Sequence, residues 1–266
     1  MTSSKMKRLV AAAGLAALVP LPVAGQSRPT PSQTPALPRT TEGRPNLTGF
    51  WQAMNTASWN IEPHQASADG PAGLGVIDGE ELPYRPEALA KKKQNVANRS
   101  DADPVSRCFA PGVPRIMYMP YPFQISQSRT MVAMLFEFTH EMRNVYMDTP
   151  HPPGPIDWWM GDSRGRWEGD TLVVDAVHFN DETLFDRAGN YHSDALHVVE
   201  RYTMTDRDHI AYTATIEDAK VFTRPWKMNM IFYRHVEPNF QLLEYECSTF
   251  EDEAAGNLSQ PKRPRQ

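Results

Sequence analysis

The chain reads as a mainly β protein, an antiparallel meander closed into a β-barrel with one short helix. Three observations predict this. After Cys108, short segments rich in β-branched and aromatic residues follow one another to the end: FQISQS, TMVAMLFEF, EMRNVYMD, RGRWEG, DTLVVDAVHF, ALHVVERYTM, HIAYTATIE, KMNMIFYR and FQLLEYECS. Most connections are short, as in Glu168-Gly169-Asp170 and Thr205-Asp206-Arg207-Asp208, and short connections demand antiparallel neighbours. Nothing alternates strand with helix as a parallel α/β fold requires. Such a meander must hide its edges, and closure is the simplest way, with a two-sheet sandwich as the alternative. A barrel of this size can keep room for one small ligand.

The elements follow in order. Residues 1–25 have a basic start (Lys5, Lys7, Arg8), an apolar run from Leu9, and small residues before Gly25. They predict a cleaved signal peptide and a periplasmic or secreted protein, and the run is too short for membrane insertion. Residues 26–45, rich in Pro, Ser and Thr, read as an extended linker. A single β-barrel domain is expected over 46–250, opening on the apolar-aromatic NLTGFWQ. RPEALAKKKQNVAN supplies the helix, with Pro86 at its start. Residues 251–266 read as a disordered tail.

Lys and Arg number 27 against 32 Asp and Glu, and loss of the three signal-peptide cations moves the formal charge from −5 to −8. An acidic chain is a poor partner for nucleic acid, whose phosphates call for a basic face. Both cysteines, Cys108 and Cys247, fall in the exported part, and a disulfide between them is expected in an oxidising compartment.

Several stretches are specific: GDSRGRWEGDTLVVDAVHFND, HSDALHVVERY, the C-x-P-G-x-P-R run from Cys108 to Arg115, and LEYEC. Together, over about Leu47 to Phe250, they resemble a large family of exported bacterial proteins. The resemblance implies a lipocalin-like barrel, and Gly49 and Trp51 match the short Gly-x-Trp opening of lipocalins. It implies no settled activity.

Candidate chemistry gathers around AGNYHSDALHVVERY. Gly189-Asn190 marks a turn, and His192 follows it beside Asp186, Ser193 and Asp194. An imidazole titrates near neutral pH, and a carboxylate can fix its tautomer, so His192 is the expected general base. The preceding loop adds Asn180 and Asp181, and one barrel mouth is expected to collect all of these. In the strand, Leu196, Val198, Glu200 and Tyr202 share one face, while His197, Val199, Arg201 and Thr203 share the other. Either Glu200 or Arg201 therefore points into the lumen. Arg201 or Tyr191 would hold developing negative charge. Trp158 and Trp159, adjacent in the Pro-rich PHPPGPIDWWMG, are expected to shelter a flat substrate, with His140 completing the binding set.

Metal-ligand spacing, a phosphate loop, G-x-S-x-G and a dinucleotide fingerprint are all lacking, so neither a metal nor an organic cofactor is expected. The partner is a small-molecule ligand. Three functions fit. The first is a cofactor-independent lyase or isomerase acting on a small aromatic or apolar molecule, such as a lignin-derived phenolic. The second is a non-catalytic carrier or sensor of a similar ligand. The third is a glycan hydrolase built from a pair among Glu200, Asp175 and Asp181.

Overall fold

The computed structural model describes residues 36–68 and 70–245. The expected signal peptide and tail, most of the expected linker, and Cys247 with its expected disulfide to Cys108 lie outside the described residues.

The barrel is closed, with nine strands in chain order: β1 Gly49–Ala53, β2 Phe123–Gln127, β3 Met131–Phe136, β4 Met142–Met147, β5 Asp162–Glu168, β6 Thr171–Val177, β7 His197–Met204, β8 His209–Glu217 and β9 Trp226–Arg234. Eight of the nine expected strands appear. The ninth differs: residues 240–245 form no strand, and β1 pairs with both β2 and β9 to close the ring. Once β1 occupies the free edge of β9, no partner is left there for a later segment.

The all-antiparallel expectation is corrected at one joint. A closed ring needs an even number of antiparallel pairs, because each one reverses direction, so nine strands leave at least one parallel pair. That pair is β4–β5, with Val145 beside Ser163, Tyr146 beside Arg164 and Met147 beside Gly165. Parallel neighbours need a crossover, and residues 148–161, the Pro-rich loop with the two tryptophans, are that crossover.

Closure is locked by Trp51 and Arg234. Trp51 is fully buried, its indole N–H donates to the Leu47 carbonyl at 2.8 Å, and the Arg234 guanidinium lies 4.1 Å from its ring centre. Arg234 also donates to the carbonyls of Arg207 and Thr48, both at 2.9 Å. Gly49 has φ +148°, and a Cβ there would stand 2.0 Å from Arg234 Nη1, so this close approach requires a glycine.

Residues 36–45 fold back against the barrel rather than extending as a linker. Arg39 bridges to Pro45, and its guanidinium grips Asp170 through two hydrogen bonds at 2.7 and 2.9 Å. The helix, α1, spans Ala88–Ala97, with a four-residue turn of helix after it at Arg99–Ala102. A helical turn at Arg115–Tyr118 is wholly buried, and Arg115 is held by Asp103 through a bidentate pair at 2.7 and 2.9 Å.

The lumen is filled by side chains. Trp51, Ile125, Val132, Met134, Val145, Tyr202 and Phe232 have no exposed surface. At the centre lies a charged group: Arg143 of β4 donates to both carboxylate oxygens of Glu200 of β7, and its Nε–H donates to Ser163 Oγ at 3.0 Å. The hydroxyls of Tyr202 and Tyr212 donate to Glu200 Oε1 at 2.9 and 2.8 Å. Burial works against the Arg143 charge, but the adjacent Glu200 outweighs it and raises the guanidinium further. Burial also drives both phenols well above their ordinary range. Where the sequence left Glu200 and Arg201 open, Glu200 faces in and Arg201 faces out to Glu168 at 2.9 Å.

Removing one partner of a fully buried pair strands the other, so Glu200→Gln is expected to cost about 3–5 kcal/mol in urea unfolding. Arg201→Ala, which breaks an exposed pair, is expected to cost about 1 kcal/mol or less in the same measurement.

Candidate functional site

The predicted residues do not converge on one barrel mouth. His192 is buried between Phe179 and Phe185, with ring centres 6.1 and 5.4 Å away. Its Nδ1 lies 2.9 Å from the Ser193 carbonyl, which can only accept, so Nδ1 carries the proton. Nε2 then accepts from the Thr183 hydroxyl at 2.6 Å. Both nitrogens are spent, and burial lowers the ring's affinity for a second proton. The expected general base is thus a neutral packing residue, because the loop turns inward where a solvated rim was expected.

Asp186 is buried as well, but it does not touch His192. It accepts from the backbone N–H groups of Ile61 and Asn190 at 2.9 and 3.1 Å and from the Asn190 amide at 2.6 Å. Burial pushes its carboxyl up to about 6 despite these donors. It fastens the 180s loop to residue 61. Asp194 pairs with Lys220 on the surface. Asn180 caps its own turn by accepting from Glu182 N–H, and Asp181 is exposed. Tyr191 donates to the Ala88 carbonyl and stacks near Tyr84. His140 sits on a different connection, between β3 and β4, in a left-handed conformation. The glycosidase pair also separates, with Glu200 in the lumen, Asp175 half-exposed on β6 and Asp181 in a loop.

Trp158 and Trp159 do line a site, but it lies outside the barrel. A cleft of about 560 Å³ opens beside the β4–β5 joint, bounded by Phe109, Glu141, Met142, Asn144, Tyr146, Trp158, Trp159, Met160, Asp162 and Ser163 among others. It lies where the joint is incomplete, since β4 meets β5 only from Val145 onward. Trp159 lies parallel to Phe109 with ring centres 5.1 Å apart. Trp158 is partly exposed, and its backbone is pinned to β6's exit, donating to the His178 carbonyl and accepting from Asn180 N–H at 2.9 and 3.0 Å. The Asn144 side-chain oxygen is buried and unpartnered. Two carboxyls in this cleft are driven in opposite directions. Burial raises Glu141. Burial also works on Asp162, but Arg164 and His151 outweigh it and lower that carboxyl.

Behind the cleft runs a chain of imidazoles and carboxylates. His151, on the crossover, places Nδ1 2.5 Å from Asp162 Oδ2 and Nε2 3.2 Å from Asp175 Oδ1. His197 of β7 reaches the same Asp175 oxygen at 3.0 Å, and its other nitrogen is 3.5 Å from Glu217. Arg164 grips both Asp162 oxygens and bonds the Thr149 hydroxyl. Sequence reasoning passed over His151, Asp162 and Glu141. The outward-facing Asp162, Arg164 and Asp175 on adjacent β5 and β6 were the available signal, but only the strand register shows that they meet.

Among the described residues no group of three or more His, Cys, Asp or Glu is arranged to hold a metal ion, and no helix is long and apolar enough to cross a membrane. No protein-family model matches the chain, and no curated protein matches it.

If His192 is a neutral packing residue, its ring stays in the Nδ1–H form at pH 6.5, where an ordinary imidazole is about half protonated. Long-range nitrogen-15 correlation spectra read this directly, and an imidazolium signal at that pH would contradict the assignment.

Proposed function

We propose that this protein binds a small, flat, aromatic or otherwise apolar molecule in the cleft between the crossover and β4. The observation that carries this is the adjacent pair Trp158 and Trp159 on a pinned loop, facing Met142 and Tyr146 across a space of about 560 Å³. Apolar walls with a few polar groups are what such ligands select, and Asn144 Oδ1 and Glu141 supply the polar groups. The filled lumen directs the ligand to the outside of the barrel.

A second reading, proton-transfer chemistry on the same ligand as a lyase or isomerase, is favoured by Glu141 and Asp162. A carboxyl raised by burial and another lowered by Arg164 and His151 in one cleft suit donor and charge-stabilising roles. Asp162 is too firmly held by Arg164 and His151 to act as the base, so Glu141 would carry the proton.

Titration with phenol, vanillin and 2-naphthol, followed by tryptophan fluorescence, is expected to show saturable quenching. Trp159→Ala should weaken binding by about tenfold or more, as expected for loss of a buried aromatic contact, while Trp59→Phe, at a tryptophan that does not line the cleft, leaves it unchanged. Absence of quenching by all three compounds, or unchanged affinity in Trp159→Ala, would overturn the reading. Under the second reading, wild type converts a bound ligand and Glu141→Gln binds it without turnover.

A further inference from the structure

The imidazole–carboxylate chain on the outer wall is not needed to close the barrel, yet it fastens the loop that carries both cleft tryptophans. We infer that it is a charge-operated latch: His151, held between Asp162 and Asp175, docks the 149–160 crossover, and His197, which shares Asp175, is the switch that loosens it as pH rises. The inference rests on the proposed ligand cleft for its functional consequence, but the docking of the loop stands independently.

Hydrogen-bond complementarity comes first. Carboxylates face both ring nitrogens of His151, at 2.5 and 3.2 Å, and carboxylate oxygens only accept. Both contacts are hydrogen bonds only when both nitrogens carry protons; the neutral ring turns a lone pair towards one of the anions. His197 is in the same position between Asp175 and Glu217.

Charge balance follows. The groups facing His151 are Asp162 and Arg164 from β5, Asp175 from β6, His197 from β7 with Glu217 of β8 behind it, and His178 at the exit of β6, its ring centre 6.1 Å away. His178 points elsewhere, with Nε2 donating to the Pro152 carbonyl. Three carboxylates therefore meet one permanent cation, Arg164, and two imidazoles. The cluster is neutral when both rings are protonated and carries two uncompensated negative charges when neither is.

The pH window follows from the shifts. The Asp175 hydrogen bond raises His197, so its contribution is complete below the ordinary imidazole value of about 6.5 and is lost as pH rises through the raised value. The His197 hydrogen bond lowers Asp175, and Asp162 is lowered too. Their contributions are complete above about 4 and are lost only in stronger acid. The latch is thus closed in mildly acidic solution and opens on the alkaline side.

The test uses the full chain at pH 6 and pH 8.5, comparing wild type, His151→Gln and His197→Gln. Amide hydrogen exchange of residues 149–160 in the ligand-free protein, corrected for the intrinsic pH dependence of exchange, reads docking directly; 2-naphthol affinity reads the consequence. In wild type, protection of the loop and affinity are both expected to fall about tenfold at the higher pH, as for loss of a charge-assisted hydrogen bond. His151→Gln is expected to show the low protection at both pH values with its barrel strands still protected, and His197→Gln a smaller pH response. Equal loop protection at the two pH values in wild type, or an unchanged pH response in His151→Gln, overturns the latch. A pH-dependent loop with no 2-naphthol binding at either pH supports the latch and removes the proposed ligand.

Discussion

The architecture depends on a parity constraint. Nine strands cannot close with every neighbour antiparallel, and here the mismatch falls between β4 and β5. Resolving it takes a segment that travels back along the outside of the wall, and that segment brings Trp158, Trp159 and His151 to β5 and β6. Because β4 and β5 pair over only three residues, the wall is open beside them, and the cleft fills the opening. Crossover, cleft and imidazole–carboxylate chain are three results of the same constraint.

The lumen answers a different demand. Arg143 and Glu200 are both taken out of water, which costs several kcal/mol per ion unless geometry and further hydrogen bonds offset it. Here the guanidinium is bidentate, Ser163 accepts its remaining Nε–H, and two phenols donate to the carboxylate. Every partner lies on a different strand except Glu200 and Tyr202, so the pair ties β4, β5, β7 and β8 into one register. A one-residue slip in β7 would send Glu200 to the outer face and leave Arg143 buried without its anion. This interior is built for register rather than for ligand.

Much of the fold was legible because strand signals are local. The alternation in ALHVVERYTM shows that Glu200 and Arg201 take opposite faces, and the structure keeps that separation. The same local logic misled at His192: a Gly-Asn turn and flanking acids describe a solvated rim, but Phe179 and Phe185, each several residues away, enclose the ring. LEYEC has a strand-like composition, yet residues 240–245 form no strand, because β1, more than 180 residues upstream, already occupies the edge.

The sequence by itself determined the class of fold and most of the strands. These depend on periodicity and turn chemistry, both of which act within a few residues. Tertiary structure alone decided which strands become neighbours, which charge of a neighbouring pair turns inward, and which distant side chains meet. His151, Asp162, Asp175 and His197 lie up to 46 positions apart and come from four segments. Their convergence follows from the β5–β6–β7 register and the path of the crossover, which long-range closure sets and no local pattern encodes.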